Sequence, residues 1–370
     1  MSTSTSQFSQ EKIRSICSEF AVYGDFLLAV PFGTGHINDT FQVTYDQGGV
    51  RLHYILQRIN HVVFPHPDQV MENIDRVTTH LLNKIRSRGE ETRKRTIRLL
   101  RTATDQPFVR DGNDDFWRMY IFVENARSYD VFATPEQAYR TARAFGEFQC
   151  DLVDLPGGRL HETIKDFHNT PKRIDALLSA IAENKVGRVA GVEREIEFVL
   201  NRRDEAERLL QLHAAGAIPE RITHNDTKAN NILIDDVSGE GVCVIDLDTV
   251  MPGLALYDFG DMVRSGTSSA EEDEVNLDLV EMRFDLFEAL LKGFLSSADG
   301  FLTEVERECL PFSGKLITLE TGIRFLTDHI NGDVYFKTHR ANHNLERCRN
   351  QFKLVESIER QLNQMNSLLR

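Results

Sequence analysis

The stretch His224-Asn225-Asp226-Thr227-Lys228-Ala229-Asn230-Asn231 has the form H-x-D-x-x-x-x-N. Val244-Ile245-Asp246-Leu247-Asp248 follows, with Asp246 twenty residues beyond Asp226. A carboxylate in a polar loop, an amide five residues on, and a carboxylate at the end of an apolar run can converge on one point. The apolar runs Asn231–Ile234 and Val242–Ile245, joined by Ser238-Gly239, read as a hairpin that would carry the second carboxylate.

That trio suits phosphoryl transfer, in which a protein mainly positions groups and neutralises charge. One Asp orients the acceptor hydroxyl and takes its proton, while an Asn and a second Asp hold Mg²⁺ against the phosphates. Asp258-Phe259-Gly260 is a competing tripeptide for the metal, but it lies 32 residues after Asp226 and has no apolar strand before it. Asp246 is therefore preferred, and Asp258 is expected to cap the segment that follows it or to brace the loop.

Outward from this loop the chain divides. The first part reads as strands: Phe26–Val30, Thr40–Tyr45 up to Gly48-Gly49, Arg51–Ile59, Thr96–Thr102 and Phe116–Val123. One helix interrupts them after Pro67, with Val70, Ile74, Val77 and Leu81 at helical spacing. Beyond Glu124 the pattern turns helical: Pro135–Leu152, Val192–Ala214, Leu277–Phe294, Thr303–Cys309, Lys315–His329 and Leu345–Met365. The expected fold class is α+β in two lobes, a strand-rich N-lobe over 1–124 with a frayed tail over 1–10, and a larger helical C-lobe over 125–370. A ligand cleft is expected between them.

The residues and their spacing resemble the protein-kinase-like small-molecule phosphotransferases, the aminoglycoside and choline kinase superfamily. The resemblance implies Asp226 as catalytic base, Asn231 and Asp246 as Mg²⁺ ligands, and ATP as cosubstrate. His224 would brace the loop. Gly33-Thr34-Gly35 between two strands would let backbone N–H groups approach phosphates. The cation of the third strand is a departure: Gln57 stands where lysine is expected and Arg58 follows, yet alternation puts the two on opposite faces. Glu72 on the next helix would partner that cation. The strand end Phe122-Val123-Glu124 would face adenine.

Longer matches resemble the N-acetylhexosamine 1-kinase branch: Gly35-His36-Ile37-Asn38-Asp39-Thr40, Asp246–Pro252, Gly260–Arg264 and Asn331–Lys337. They imply phosphorylation of the C1 hydroxyl of N-acetylglucosamine or N-acetylgalactosamine. Sugar contacts would fall on Asp226, Arg324 and Tyr335, and also on Thr227, Lys228 and His36. The bland alternative pairs Arg324 with Asp328 and buries Tyr335 in the core. Other readings keep the chemistry for an amino alcohol, an antibiotic or another sugar, or make the chain a nucleotide-binding protein without catalysis.

Composition trims the rest. Lys plus Arg total 43 against 57 Asp plus Glu, a net charge of −14, which disfavours a nucleic-acid partner. The basic stretch from Arg86 to Arg101 is interrupted by Glu90 and Glu91 and carries no aromatic residue for base stacking. No run approaches a membrane span, and five scattered cysteines without a CxxC pair fit reduced thiols, so a cytoplasmic setting is expected. Nothing in the sequence requires more than one copy, and a monomer is compatible with every feature.

Overall fold

The computed structural model describes residues 8–33, 37–92 and 94–370. Thr34, Gly35 and His36, each expected to touch a ligand, lie outside the described residues. The chain forms two compact units. The first takes Met1–Ala126, Leu155–Ile164 and Ile245–Thr249; the second takes Arg127–Asp154, Lys165–Val244 and Val250–Arg370. Two later segments thus belong to the strand-rich unit, where the sequence reading assigned everything after 124 to the helical part.

The first unit opens with α1 (Gln10–Cys17), whose N-terminus is capped by the Ser9 hydroxyl accepting from the Lys12 N–H at 3.2 Å. Phe8 sets its ring edge-on to Trp117, with centroids 5.2 Å apart. Residues 8–10, expected to belong to a frayed tail, instead dock onto the sheet through Phe8 and the cap. Strands β1 (Asp25–Pro31), β2 (Asp39–Gln47) and β3 (Val50–Arg58) precede α2 (Pro67–Ser87). Strands β4 (Leu99–Leu100), β5 (Val109–Arg110) and β6 (Phe116–Ile121) follow. All pair antiparallel in the order β1-β2-β3-β6-β4, with β5 also on β6.

Gly48 and Gly49 have φ of 65° and 90°, the two positive values a tight hairpin needs, and Gln47 faces Val50 across it. Ile13, Ile16, Cys17 and Phe20 cover one face of the sheet and pack with Phe41, Val43, Leu56, Trp117 and Met119. On α2 the predicted residues Val70, Ile74, Val77 and Leu81 are all buried. The Asn73 side chain ties the 155–164 segment to α2, donating to the His161 carbonyl at 2.8 Å and accepting its N–H at 3.0 Å.

The two-residue strand β7 (Ala126–Arg127) lies where the chain passes into the second unit. That unit contains α3 (Pro135–Leu152), α4 (Thr170–Glu183), α5 (Glu193–Leu200), α6 (Arg203–Ala206) and α7 (Arg208–Ala214). Short strands β8 (Arg221–Thr223), β9 (Ile232–Asp235), β10 (Gly241–Val244) and β11 (Met251–Gly253) come next. They lead to α8 (Ala255–Gly266), α9 (Phe284–Ala298), α10 (Glu304–Asn331) and α11 (His343–Ser367). Leu319, Ile323 and Leu326 of α10 pack with Cys348, Phe352 and Val355 of α11.

Several expected elements change. The helix over 192–214 is three pieces, and α4 was not anticipated. The helices over 303–309 and 315–329 are one, α10, running through Pro311. The strand over 96–102 shrinks to Leu99–Leu100, and the helix expected from Leu277 begins at Phe284 after a 3₁₀ turn. Among the described residues no helix is long and apolar enough to cross a membrane.

Candidate functional site

The candidate residues form two groups, one in each unit. In the second unit β8 pairs antiparallel with β11 and delivers the chain to His224. The loop then turns through Asn225 at φ 66°, a left-handed value that asparagine tolerates better than most residues. Asp258, in the first turn of α8, accepts the backbone N–H of His224 at 2.9 Å and of Asn225 at 2.7 Å. Gln149 donates to the same carboxylate at 2.5 Å, and the Thr227 hydroxyl donates to the Asp258 carbonyl at 2.5 Å. Asp258 therefore braces the loop, the second of its two expected uses. Burial pushes its pKa up, against the pull of His224 and the two N–H groups.

The loop presents Asp226 with its side chain about a quarter exposed, at 26%. Its carboxylate meets the Lys228 ammonium at 2.9 Å and accepts from the Asn231 amide at 3.0 Å; that amide also donates to the Asp226 carbonyl at 2.7 Å. Burial raises the Asp226 pKa, but Lys228, His224 and Arg264 outweigh it and hold the value down at about 2. Attraction to Asp226 in turn raises the Lys228 pKa. Lys228 is thus committed to Asp226. Asn231 spends its NH₂ on Asp226, which leaves the amide oxygen as the atom it can offer to a cation.

A second cluster in this unit gathers Arg324 and Tyr335. The Arg324 guanidinium lies over the rings of Phe167, Phe336 and Tyr335, at 5.3, 5.4 and 5.9 Å. Among the described residues it makes no hydrogen bond and no ion pair. Asp328, its expected alternative partner, is occupied by the N–H groups of Val334, Tyr335 and Phe336 at 2.8–2.9 Å, which fix that loop. Tyr335 is 58% exposed, so it is not a core residue. Arg173, not singled out by sequence, stands beside Arg324: burial, and then the facing guanidinium, pull its pKa down. Its Nε is buried without a hydrogen-bond partner.

The first unit holds the other group. Asp246 is exposed at φ 60° and opens the turn Leu247–Thr249. Asp248 is buried and ion-paired with Arg118 of β6, itself 1% exposed. Asn38 donates to the other Asp248 oxygen at 2.6 Å, and the Thr163 hydroxyl donates to its carbonyl at 2.9 Å. Burial lowers the Arg118 pKa, but the carboxylate of Asp248 and, more weakly, Tyr120 and Asp246 reverse that and raise it. Gln57 faces Arg118 in the sheet register, and its carbonyl accepts from the guanidinium at 2.9 and 3.0 Å.

Arg58 lies elsewhere. It donates to Asp39 at 2.6 and 2.8 Å and to Asp115 at 2.9 Å, so two carboxylates already neutralise it. Glu72 meets His161 at 2.9 Å rather than either strand cation. Alternation is the reason: Arg58 and Gln57 face opposite sides, and Gln57 faces Arg118. A single arginine inside the apolar strand Phe116-Trp117-Arg118-Met119-Tyr120-Ile121 was the readable signal, since such a charge is buried only with a partner. Of the remaining residues, Gly33 has φ 78°, Phe122 stacks edge-on to Phe32, and Glu124 meets His53 at 2.7 Å.

The donors suit a hard divalent cation. Asp246, in the first unit, offers carboxylate oxygens, and Asn231, in the second, an amide oxygen; each is an atom type that Mg²⁺ accepts beside phosphates and water. Among the described residues no group of three or more His, Cys, Asp or Glu side chains is placed to enclose a metal alone.

Three solved structures share this fold. An aminoglycoside phosphotransferase from Alicyclobacillus acidocaldarius has a TM-score of 0.59 at 13% identity, covering 95% of this chain and 96% of that one. A choline kinase from Cryptosporidium parvum has a TM-score of 0.59 at 13% identity, covering 96% and 97%. A spectinomycin phosphotransferase in complex with ADP and spectinomycin has a TM-score of 0.57 at 12% identity, covering 96% and 99%. Residues 29–290, well over half of the sequence, match the phosphotransferase enzyme family (APH), and the chain belongs to that family.

Proposed function

We propose that this phosphotransferase moves the γ-phosphoryl group of ATP to the anomeric hydroxyl of an N-acetylhexosamine, N-acetylglucosamine or N-acetylgalactosamine. Family membership supports the reaction type. The nucleotide follows from the family chemistry and from the ADP in the spectinomycin relative. The observation that carries the acceptor is Arg324, a guanidinium packed among three rings with its N–H donors uncommitted among the described residues. A fork of donors above aromatic rings suits hydroxyls and an acetamido carbonyl. With Arg173 beside it, the same place sets two guanidiniums against the buried carboxylate of Glu320, a balance that disfavours a cationic amino alcohol or aminoglycoside. The acidic run Glu271–Glu274 does not restore that reading, since Glu272 meets Arg264 at 3.3 Å and Asp273 meets His343 at 3.0 Å.

In this mechanism Asp226 accepts the hydrogen bond of the C1 hydroxyl and aims its oxygen at the phosphorus. A carboxylate held at about 2 is a weak base, so its main work is orientation, with proton uptake late. That suits a loose transition state, which asks little of the nucleophile. Mg²⁺ bound to Asn231 and Asp246 would offset phosphate charge. Lys228 keeps Asp226 ionised, and Asp258 keeps the loop in shape. By the same resemblance Gly33, Thr34 and Gly35 would face the phosphates, Phe122–Glu124 the adenine, and His36 the sugar; Thr227, expected beside the sugar, is instead fully buried with its hydroxyl on the Asp258 carbonyl and belongs to the frame of the loop.

The test is ADP release from Mg²⁺-ATP with N-acetylglucosamine, N-acetylgalactosamine, glucose, galactose, choline and kanamycin offered separately. Turnover is expected with the N-acetylhexosamines, and phosphorus NMR should show a C1 phosphate. A 6-phosphate product, or preferred turnover of choline or kanamycin, overturns the acceptor assignment.

A further inference from the structure

Among its described residues the first unit lacks the lysine–glutamate pair expected of its sheet and helix. Gln57 replaces the lysine, and Glu72 is taken by His161. A different pair occupies the interior: Arg118 on the neighbouring strand and Asp248, two residues past Asp246. The two are 1% and 3% exposed. A guanidinium so enclosed cannot reach a soluble phosphate without leaving its partners. Its bonds run instead to Gln57 and to the loop that carries Asp246.

Asp248 is held at three points from three separate segments. Arg118 and Asn38 take its two carboxylate oxygens, and Thr163 takes its carbonyl. Asp246 is exposed and sits in a left-handed backbone conformation, at φ 60°, that costs most side chains strain and that fixed neighbours help to keep. Asp248, two residues further on, is the fixed point that follows it in sequence.

We propose that Arg118 is a positioning residue for the metal-binding carboxylate, acting through Asp248 to hold the Asp246 turn in the conformation that binds Mg²⁺. The charge that a strand lysine would spend on phosphate is spent here on the metal loop. Gln57 completes the arrangement: its carbonyl holds the guanidinium, while its amide donates to the Thr40 hydroxyl at 3.0 Å. The inference rests on the phosphotransferase reading only in taking Asp246 as a metal ligand.

The test compares Arg118→Lys, Asp248→Asn and the charge-free double variant Arg118→Gln/Asp248→Asn with the parent. Mn²⁺ binding in the presence of ADP is read by electron paramagnetic resonance, alongside kcat, the KM values for ATP and acceptor, and the melting temperature. Loss of a residue that orients a metal ligand lowers metal affinity roughly 10–100-fold. That loss is expected in all three variants, with kcat falling alongside and acceptor KM within about twofold of the parent. The double variant leaves no buried charge unpaired, so it should melt closer to the parent than either single variant while keeping the metal defect.

Unchanged Mn²⁺ affinity with a raised ATP KM would mean that Arg118 touches phosphate, and overturns the proposal. So does a double variant that recovers metal affinity together with melting temperature, because packing alone would then explain the pair. If the parent binds Mn²⁺ with ADP but turns over no acceptor, the acceptor reading fails and the binding measurement still decides the role of Arg118.

Discussion

At the scale of single residues, the proposed reaction turns on Asp226 and Lys228. Asp226→Asn keeps the shape and the Asn231 contact but cannot take a proton, so kcat should fall roughly 10²–10⁴-fold with the far-UV spectrum unchanged. Lys228 exerts the largest downward pull on the Asp226 pKa and opposes burial. The depressed folded value means that the ionised form, and the stability tied to it, is present above the unfolded carboxylate range and is lost only as pH falls toward about 2. The parent should therefore show no acid limb from this group near neutrality. In Lys228→Met burial is unopposed by its main counterweight, so an acid limb in kcat should move up toward neutral pH; a profile superimposable on the parent's would refute the coupling. Asp226 and Asn231 were legible because eight consecutive residues carry them. The strand cation was not, because which of Gln57, Arg58 and Arg118 faces Asp248 is decided by register and by partners remote in sequence.

At the scale of elements, the His224–Asn231 loop owes its form to a helix terminus. Asp258→Ala would strip the acceptor from the N–H groups of His224 and Asn225 and from Gln149, all buried. Unsatisfied buried donors cost about 1–3 kcal/mol each, so a loss of about 3 kcal/mol or more is expected in urea denaturation. Helices α3 and α9 make a second test. A Cβ on Gly293 would meet the Tyr139 carbonyl oxygen at 2.2 Å, backbone that cannot swing aside. Gly293→Ala should cost about 1–3 kcal/mol by overpacking, where an exposed helical glycine would gain from the same change. The sequence showed α3 and α11 because their apolar periodicity is unbroken. It split α10 at Pro311, yet the residues from Cys309 to Glu320 are all buried, and packing on every side outweighs the one backbone bond that proline removes. It joined α5, α6 and α7, whose boundaries at Asn201 and Glu207 carry neither glycine nor proline.

At the scale of the whole molecule, the units do not follow the order of the chain. The sequence pattern changes beyond Glu124, and a reader of the sequence would cut there. Yet the first unit also needs Leu155–Ile164 and Ile245–Thr249. Those segments supply Asp248 to Arg118 and His161 to Asn73. The fragment Met1–Ala126 keeps every strand from β1 to β6 but loses the partner of a guanidinium that is 1% exposed. Loss of that ion pair and of the buried Leu160 and Leu247, at about 2–5 kcal/mol for each large apolar side chain, is a large part of the roughly 5–15 kcal/mol that stabilises a whole domain. The fragment should therefore show no cooperative thermal transition by circular dichroism. If the missing counter-charge is the main reason, Arg118→Met within the fragment should restore part of the transition, since a thioether of similar length fills the space without needing an ion partner. A parent fragment that already melts cooperatively, with tryptophan fluorescence reporting a buried Trp117, would show that the first unit is complete without its later segments.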